Sequence, residues 1–429
     1  MKRTVFFPKS LRLLCLALAF LLLVPVLSGC ALTDLLFGTE STTTVAPGST
    51  GMPEGTTNPE ASGTAAPVNT TEPVTGTAAP GDVTTSPEDT GNPVVPTVLY
   101  TDPLTGLQTA KDYSRIRPVS IVIDNTSLAF PQSGLSSADI VVEVPVEGGI
   151  TRLILITNKY EDQNYEYGPV RSTRDYMVGL CQAFGTLMVG AGGSPTGYQV
   201  ISANRLDYID GVNDSVARSF FRSDERKTKS GYEHSLMITA NGIRANASYK
   251  NYSLVRQSVG QLLPFVQPSA EGTDPTVVTS SAEELPNAAM RTILTYSSYQ
   301  QVQMIYSAQN NAYFLYEFGT KPHYDVDDGQ QLRFENVLIL FSEQNPIPGD
   351  EEGRLNVQTT GTGTGYYLSG GTYQEITWKR DAFTSAFEFR DTNGKMLNMT
   401  PGKTMITLMD AAKKGTDAVL LNHTMEADS

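Results

Sequence analysis

Three cysteines, three histidines and one tryptophan in 429 residues leave little room for several kinds of chemistry. Cys15 and Cys30 both fall at the very start of the chain, so a folded body keeps only Cys181. An intrachain disulfide is then excluded, and the fold must rest on its hydrophobic core. Cys181 lies in the apolar stretch Gly179-Leu180-Cys181-Gln182-Ala183-Phe184, which suits a buried small hydrophobe better than a reactive thiol. His234, His323 and His423 stand far apart, so no metal site is expected, and triad chemistry has only His234 or His323 to use. Positive charge is scarce too: 31 Lys and Arg face 45 Asp and Glu, a net charge of -14. Nucleic acid, which needs a cationic footprint, is excluded as a partner.

Cofactor signatures are also missing. Gly402-Lys403-Thr404 resembles the end of a phosphate loop, but Leu397 stands where the first Gly is required. Gly361-Thr362-Gly363-Thr364-Gly365 has the wrong spacing for a dinucleotide fingerprint. Gly192-Gly193-Ser194-Pro195-Thr196 lacks the closing Gly of a nucleophile elbow. No cofactor is expected.

What is present begins at the N-terminus. Lys2, Arg3, Lys9 and Arg12 precede an apolar run over residues 13–27, which is shorter than the ~20 residues of a membrane helix. Leu27-Ser28-Gly29-Cys30 closes the run as a bacterial lipobox. Residues 1–29 therefore read as a lipoprotein signal peptide, with lipid attachment at Cys30. The alternative is an uncleaved anchor helix. Loss of four basic residues and no acidic ones would take the net charge from -14 to -18. The lipid, not surface charge, must then supply membrane affinity.

Residues 30–98 form a Thr-, Pro- and Gly-rich linker; from residue 38 it carries seven carboxylates and no Lys or Arg. Such a tract cannot bury enough apolar surface to order itself. As a flexible tether its mean reach is roughly 45 Å. Order is expected from residue 99, with an α/β domain over 99–256. Strands are predicted at 118–124, 138–144, 150–157 and 186–190, with a helix over 174–184 and a tight turn at Glu147-Gly148-Gly149. Pro264, Pro268, Pro275 and Pro286 mark an interdomain linker at 257–287. A mainly β domain follows over 288–415, with a hairpin about Asn310-Asn311, and residues 416–429 read as a frayed tail. The expected class is α+β.

Four stretches could build a site. In Gly168-Pro169-Val170-Arg171-Ser172-Thr173-Arg174, Ser172 or Thr173 would cap the following helix and place Arg171 and Arg174 at its N-terminus, a natural anion position. The alternative is that these arginines pair with Glu143 or Glu147. Glu147 and Arg152 flank the tight turn and can meet across its base. Gly193 and Ser194 follow a strand, where backbone can approach a ligand or simply turn. His234 can serve as an acid or base, or as a structural hydrogen-bonding group. Asp124-Asn125 and His323 are polar groups at strand ends with no decisive pattern around them.

Several phrases in one order carry a resemblance. They are Pro103-Leu104-Thr105-Gly106-Leu107, Arg117 through Asn125, Glu147-Gly148-Gly149-Ile150-Thr151-Arg152, Gly168-Pro169-Val170-Arg171-Ser172 and Ala191-Gly192-Gly193-Ser194-Pro195. Lys321-Pro322-His323, Thr377-Trp378-Lys379 and Pro401-Gly402-Lys403-Thr404 follow in the second half. Together they resemble the YerB-like lipoprotein family, the DUF3048 group of Firmicutes and relatives. Thr126 departs from the pattern, which would place a His there. The resemblance implies a two-domain exported lipoprotein and no defined activity.

The leading expectation is a lipoprotein on the outer face of the cytoplasmic membrane, in a Gram-positive-type envelope. It would bind an anionic cell-envelope ligand or a protein partner, using Arg171, Arg174, Arg152, Ser172, Asn125, Gly193 and Ser194. The alternative is an envelope hydrolase or transferase acting on a glycan or phosphate ester, with Glu143, Glu147, Asp124 or His234 as acid or base. A transporter's solute receptor is a third reading, disfavoured because the second half looks mainly β.

Overall fold

The computed structural model describes residues 98–213, 219–257, 262–266 and 287–423. The signal segment, Cys30, the linker to residue 97 and most of the expected interdomain linker lie outside the described residues. In chain order the principal elements of the first half are β1 (Val119–Asp124), β2 (Ile140–Pro145), β3 (Thr151–Thr157), α1 (Asp175–Ala183), β4 (Leu187–Gly190), α2 (Pro195–Ala203), β5 (Tyr208–Asp210), α3 (Asp224–Ser230) and α4 (Ala240–Lys250). The second half supplies β6 (Arg291–Thr295), β7 (Gln301–Ser307), β8 (Ala312–Glu317), β9 (Asn336–Ser342), β10 (Gly361–Ser369), β11 (Thr372–Arg380), β12 (Glu388–Asp391), β13 (Thr404–Asp410) and β14 (Ala418–Leu421). The class is α+β.

Local chemistry explains the elements. β1 to β3 are rich in Val and Ile and buried throughout, as interior strands require. Between β2 and β3, Gly148 and Gly149 adopt left-handed φ values of 75° and 72°, which side chains with a Cβ resist. Helix α2 opens on Ser194, whose hydroxyl accepts from the Gly197 amide, with Pro195 in the first turn. Helix α1 has Arg174 at its N-cap and no side-chain cap. The expected cap at Ser172 or Thr173 is therefore not made; the Arg174 guanidinium is engaged elsewhere.

One ten-stranded sheet crosses the expected domain boundary, in the order β12-β11-β10-β9-β13-β2-β3-β1-β4-β5. The join is parallel pairing of β13 with β2, Thr404 opposite Ile140 through Thr407 opposite Glu143. Side chains alternate across this sheet. Ile121, Val141, Leu153, Val189, Ile339 and Met405 face one core, which also takes Leu294, Met304, Tyr313 and Leu315. That core packs a six-stranded sheet containing β8-β7-β6-β14 against the first. Val122, Val142, Ile154, Leu340 and Ile406 face a second core with Met177 and Leu180 of α1 and Trp378 of β11.

Two expectations are corrected here. The halves do not close separate cores, because both cores draw on both halves. Within the expected tail, Ala418–Leu421 pairs antiparallel with Arg291–Leu294 and closes the six-stranded sheet.

Candidate functional site

Strands β1, β2, β4, β5, β9 and β13 run in one direction, so their carboxyl ends share an edge. Open sheets favour ligands at such an edge. Asp124 ends β1, Glu147 follows β2, and Arg152 is the second residue of the returning strand β3 on the same edge.

The arginines converge there. Arg174 places Nε 3.1 Å from Glu147 Oε2 and closes a second, very short contact from Nη2 to Oε1. Arg152 reaches that same Oε1 at 3.7 Å and donates to the Ser172 carbonyl at 2.5 Å. Their side chains are only 8% and 5% exposed. Burial and the neighbouring Arg174 push the Arg152 guanidinium down to about 10. Burial opposes ionisation of Glu147, but the hydrogen bond and charge of Arg174 outweigh it and hold the carboxyl low. Of the two readings of Arg174, the ion pair with Glu147 is the one the fold makes. Glu143 pairs with neither arginine.

Arg171 differs from the other two. Its side chain is 25% exposed, with Nε 3.3 Å from Asp124 Oδ2 and Nη1 3.5 Å from the outlying Glu233. Asp124 also meets His234 Nδ1 at 2.8 Å. Burial opposes ionisation of Asp124, but the His234 hydrogen bond and the Arg171 charge lower it below the usual range. Three guanidinium groups thus stand against the buried Asp124, the half-buried Glu147 and the exposed Glu233.

Other expected residues serve the scaffold. Ser194 is the α2 cap, and Gly193 bridges to Thr173. Ser172 offers its carbonyl to Arg152. Asn125 turns inward: its Nδ2 lies 2.9 Å from Thr151 Oγ1, 3.1 Å from Glu317 Oε1 and 3.4 Å from Glu143 Oε1.

This inward turn exposes a second group, with members the sequence did not suggest. Glu143 on β2 and Glu317 on β8 are fully buried between the two sheets. Thr151 donates to Glu143 at 2.9 Å, and Gln300 to Glu317 at 3.2 Å. The Tyr296 hydroxyl lies beside Glu143 but outside hydrogen-bonding geometry. His323 Nδ1 is 3.8 Å from Glu317 Oε1, and neither ring nitrogen has a hydrogen-bond partner among the described residues. Burial pushes Glu317 up to about 8 and His323 down to about 3. Burial, then the facing Glu317, drives Glu143 well above the carboxylate range. One signal was available: in β8 the buried phase runs Tyr313, Leu315, Glu317, so Glu317 occupies a core position.

A cavity of about 230 Å³ opens beside this edge, lined in part by Gly148, Gly149, Tyr296, Gln344, Asp410 and Lys413. None of the three arginines lines it. Glu143 is fully buried and does not line it.

Comparison with known proteins places the chain in a recognised family. The chain belongs to the DUF3048 family: residues 104–253 match the model for its N-terminal domain and residues 292–406 the model for its C-terminal domain, each described as a protein of unknown function. A relative in Bacillus subtilis (strain 168), "Putative lipoprotein YerB", is 29% identical over 320 residues, spanning 72% of this chain and 87% of the relative. The crystal structure of YerB from Bacillus subtilis superposes with a TM-score of 0.62 at 28% identity, covering 75% of this chain and 99% of that one. The protein is thus related to a lipoprotein. Among the described residues, no helix is long and apolar enough to cross a membrane.

Proposed function

We propose that this is a membrane-anchored extracytoplasmic lipoprotein that binds an anionic envelope ligand at the carboxyl edge of its large sheet. Lipid on Cys30 would hold it to the outer face of the cytoplasmic membrane, and residues 30–98 would carry the folded body outward. The observation that carries the reading is the uneven pairing of three arginines. Arg174 is engaged by Glu147, and Arg152 by the Ser172 carbonyl and Glu147, with both side chains under a tenth exposed, while the Arg171 side chain is a quarter exposed and remains reachable. A phosphate or carboxylate would meet a planar guanidinium suited to two-point contact, beside His234.

The test is thermal unfolding of the full-length protein in detergent with inorganic phosphate, glycerol phosphate and sulfate. A bound anion raises stability by about 2.7 kcal/mol at a hundredfold excess over Kd. Arg171→Ala should lose the shift, and Lys379→Ala, at an exposed pair with Asp381, should keep it. No shift with any anion, or the same shift in Arg171→Ala, would turn the reading toward a protein partner.

A second reading rests on the 2.8 Å contact between Asp124 and His234 Nδ1. A carboxylate holding one imidazole nitrogen leaves Nε2 for proton transfer, as hydrolysis of a phosphate ester would need. Turnover of a phosphate-ester panel, lost in His234→Ala, would establish it. The version that uses Glu143 is less well supported, because that carboxyl is enclosed.

A further inference from the structure

We propose that the Glu143–Glu317 pair is a proton-operated latch that holds the six-stranded sheet against the ten-stranded sheet. Glu143 belongs to one sheet and Glu317 to the other, and both are fully buried. Every element packed on the pair contributes a neutral group. Asn125 follows β1, Thr151 starts β3, Thr407 on β13 lies beside Glu143, and Tyr296 and Gln300 come from the turn between β6 and β7. Among the described residues the one basic group in reach is His323, which burial keeps neutral. Asp325, whose charge bears on His323, adds a further negative group. Neither acid has a Lys or Arg partner among the described ion pairs. The nearest arginine along the chain, Arg152, is held by Glu147.

Two carboxylates without a counter-ion cannot both be charged in a dry seam, because desolvation and mutual repulsion add. At least one carboxyl must keep its proton. That proton lets Asn125, which has only two amide hydrogens, serve three acceptors without leaving a bare charge. Loss of the last shared proton breaks a carboxyl O–H bond and sends the proton to water. Two carboxylates then face each other across the seam, and the sheets are driven apart. The latch is closed in acid and neutral solution and weakens in alkali. Since Asn125 is the neighbour of Asp124, opening also removes a support from the arginine edge. The latch stands whether or not an anion binds at Arg171.

Two measurements on the full-length protein in detergent test it. Infrared difference spectroscopy near pH ~7 should show a protonated carboxyl band that disappears in Glu143→Gln/Glu317→Gln. A wild-type protein without that band overturns the latch, even if the variants do not fold. Unfolding followed from pH ~5 to ~9 should then show the linkage, with the unfolding constant rising up to about tenfold per pH unit for each retained proton. Glu317→Gln keeps the shape and removes one titrating acid together with the repulsion, so the slope should fall, Glu143→Gln/Glu317→Gln should lose it, and seam amides should stay protected from exchange at high pH. A flat wild-type profile, or an equal slope in Glu317→Gln, overturns the proposal.

Discussion

Two pairs of acids, one at the sheet's edge and one at its seam, are driven toward opposite charge states. At the edge, Asp124 is buried and Glu147 half-buried, yet arginines and His234 hold both below the ordinary carboxylate range. At the seam, Glu143 and Glu317 are enclosed with no Lys or Arg paired to them among the described residues, and both are raised. Burial opposes charge in all four cases. The partner decides the outcome, and the partner is a matter of which strands the fold brings together.

The largest effect should come from breaking the edge itself. Arg174→Ala leaves Glu147 with only the longer Arg152 contact, and breaking an enclosed pair should cost about 3 kcal/mol. Urea denaturation at neutral pH measures it. A loss under ~1 kcal/mol would mean that Arg174 behaves as an ordinary surface pair.

The pH dependence sharpens the contrast through its sign. Asp124 is depressed in the fold, so its contribution is present above the unfolded range near ~4 and is lost as pH falls through its folded value. Glu317 is raised, so its contribution is complete below the unfolded range near ~4.3 and is lost as pH rises through about 8. His234→Ala should therefore flatten only the acid limb of a stability profile, and Glu317→Gln only the alkaline limb. If either variant altered both limbs equally, edge and seam would be one coupled site.

An uncharged group at the same edge gives the smaller contrast. Ser194→Ala removes the α2 cap and should cost about 1 kcal/mol with no change in either limb. A pH-dependent loss there would link the cap to the charged cluster. Cys181 should show the least. It is buried, and burial pushes its thiol up to about 11, so a thiol reagent at neutral pH should label it only after unfolding.

Much of the edge was legible in the sequence, and almost none of the seam. Asp124, Glu147, Arg152, Arg171 and Arg174 lie at strand ends and turns, where short-range patterning is strong. The Glu147–Arg152 contact follows from the two-glycine turn alone. The direction in which Arg174 points did not follow from its place before a helix, because an N-terminal position suits an anion as well as an ion pair. Glu143 could be placed in a strand but not matched to its partner. Its carboxyl meets Glu317 across a gap of 174 positions, and no local signal spans that distance.

By itself the sequence determined the strands and the helix of the first half, the tight turn and the acidic balance. These depend on neighbours within a few residues: β-branched runs, glycines that accept positive φ, and a Pro after a Ser. Only the tertiary structure decided that β13 pairs with β2 to make one sheet of two halves. It also decided that residues 418–421 close the second sheet, and that two glutamates meet without a counter-ion. Strand pairing is non-local, and a register that satisfies the whole core can place a polar residue where alternation alone would place an apolar one.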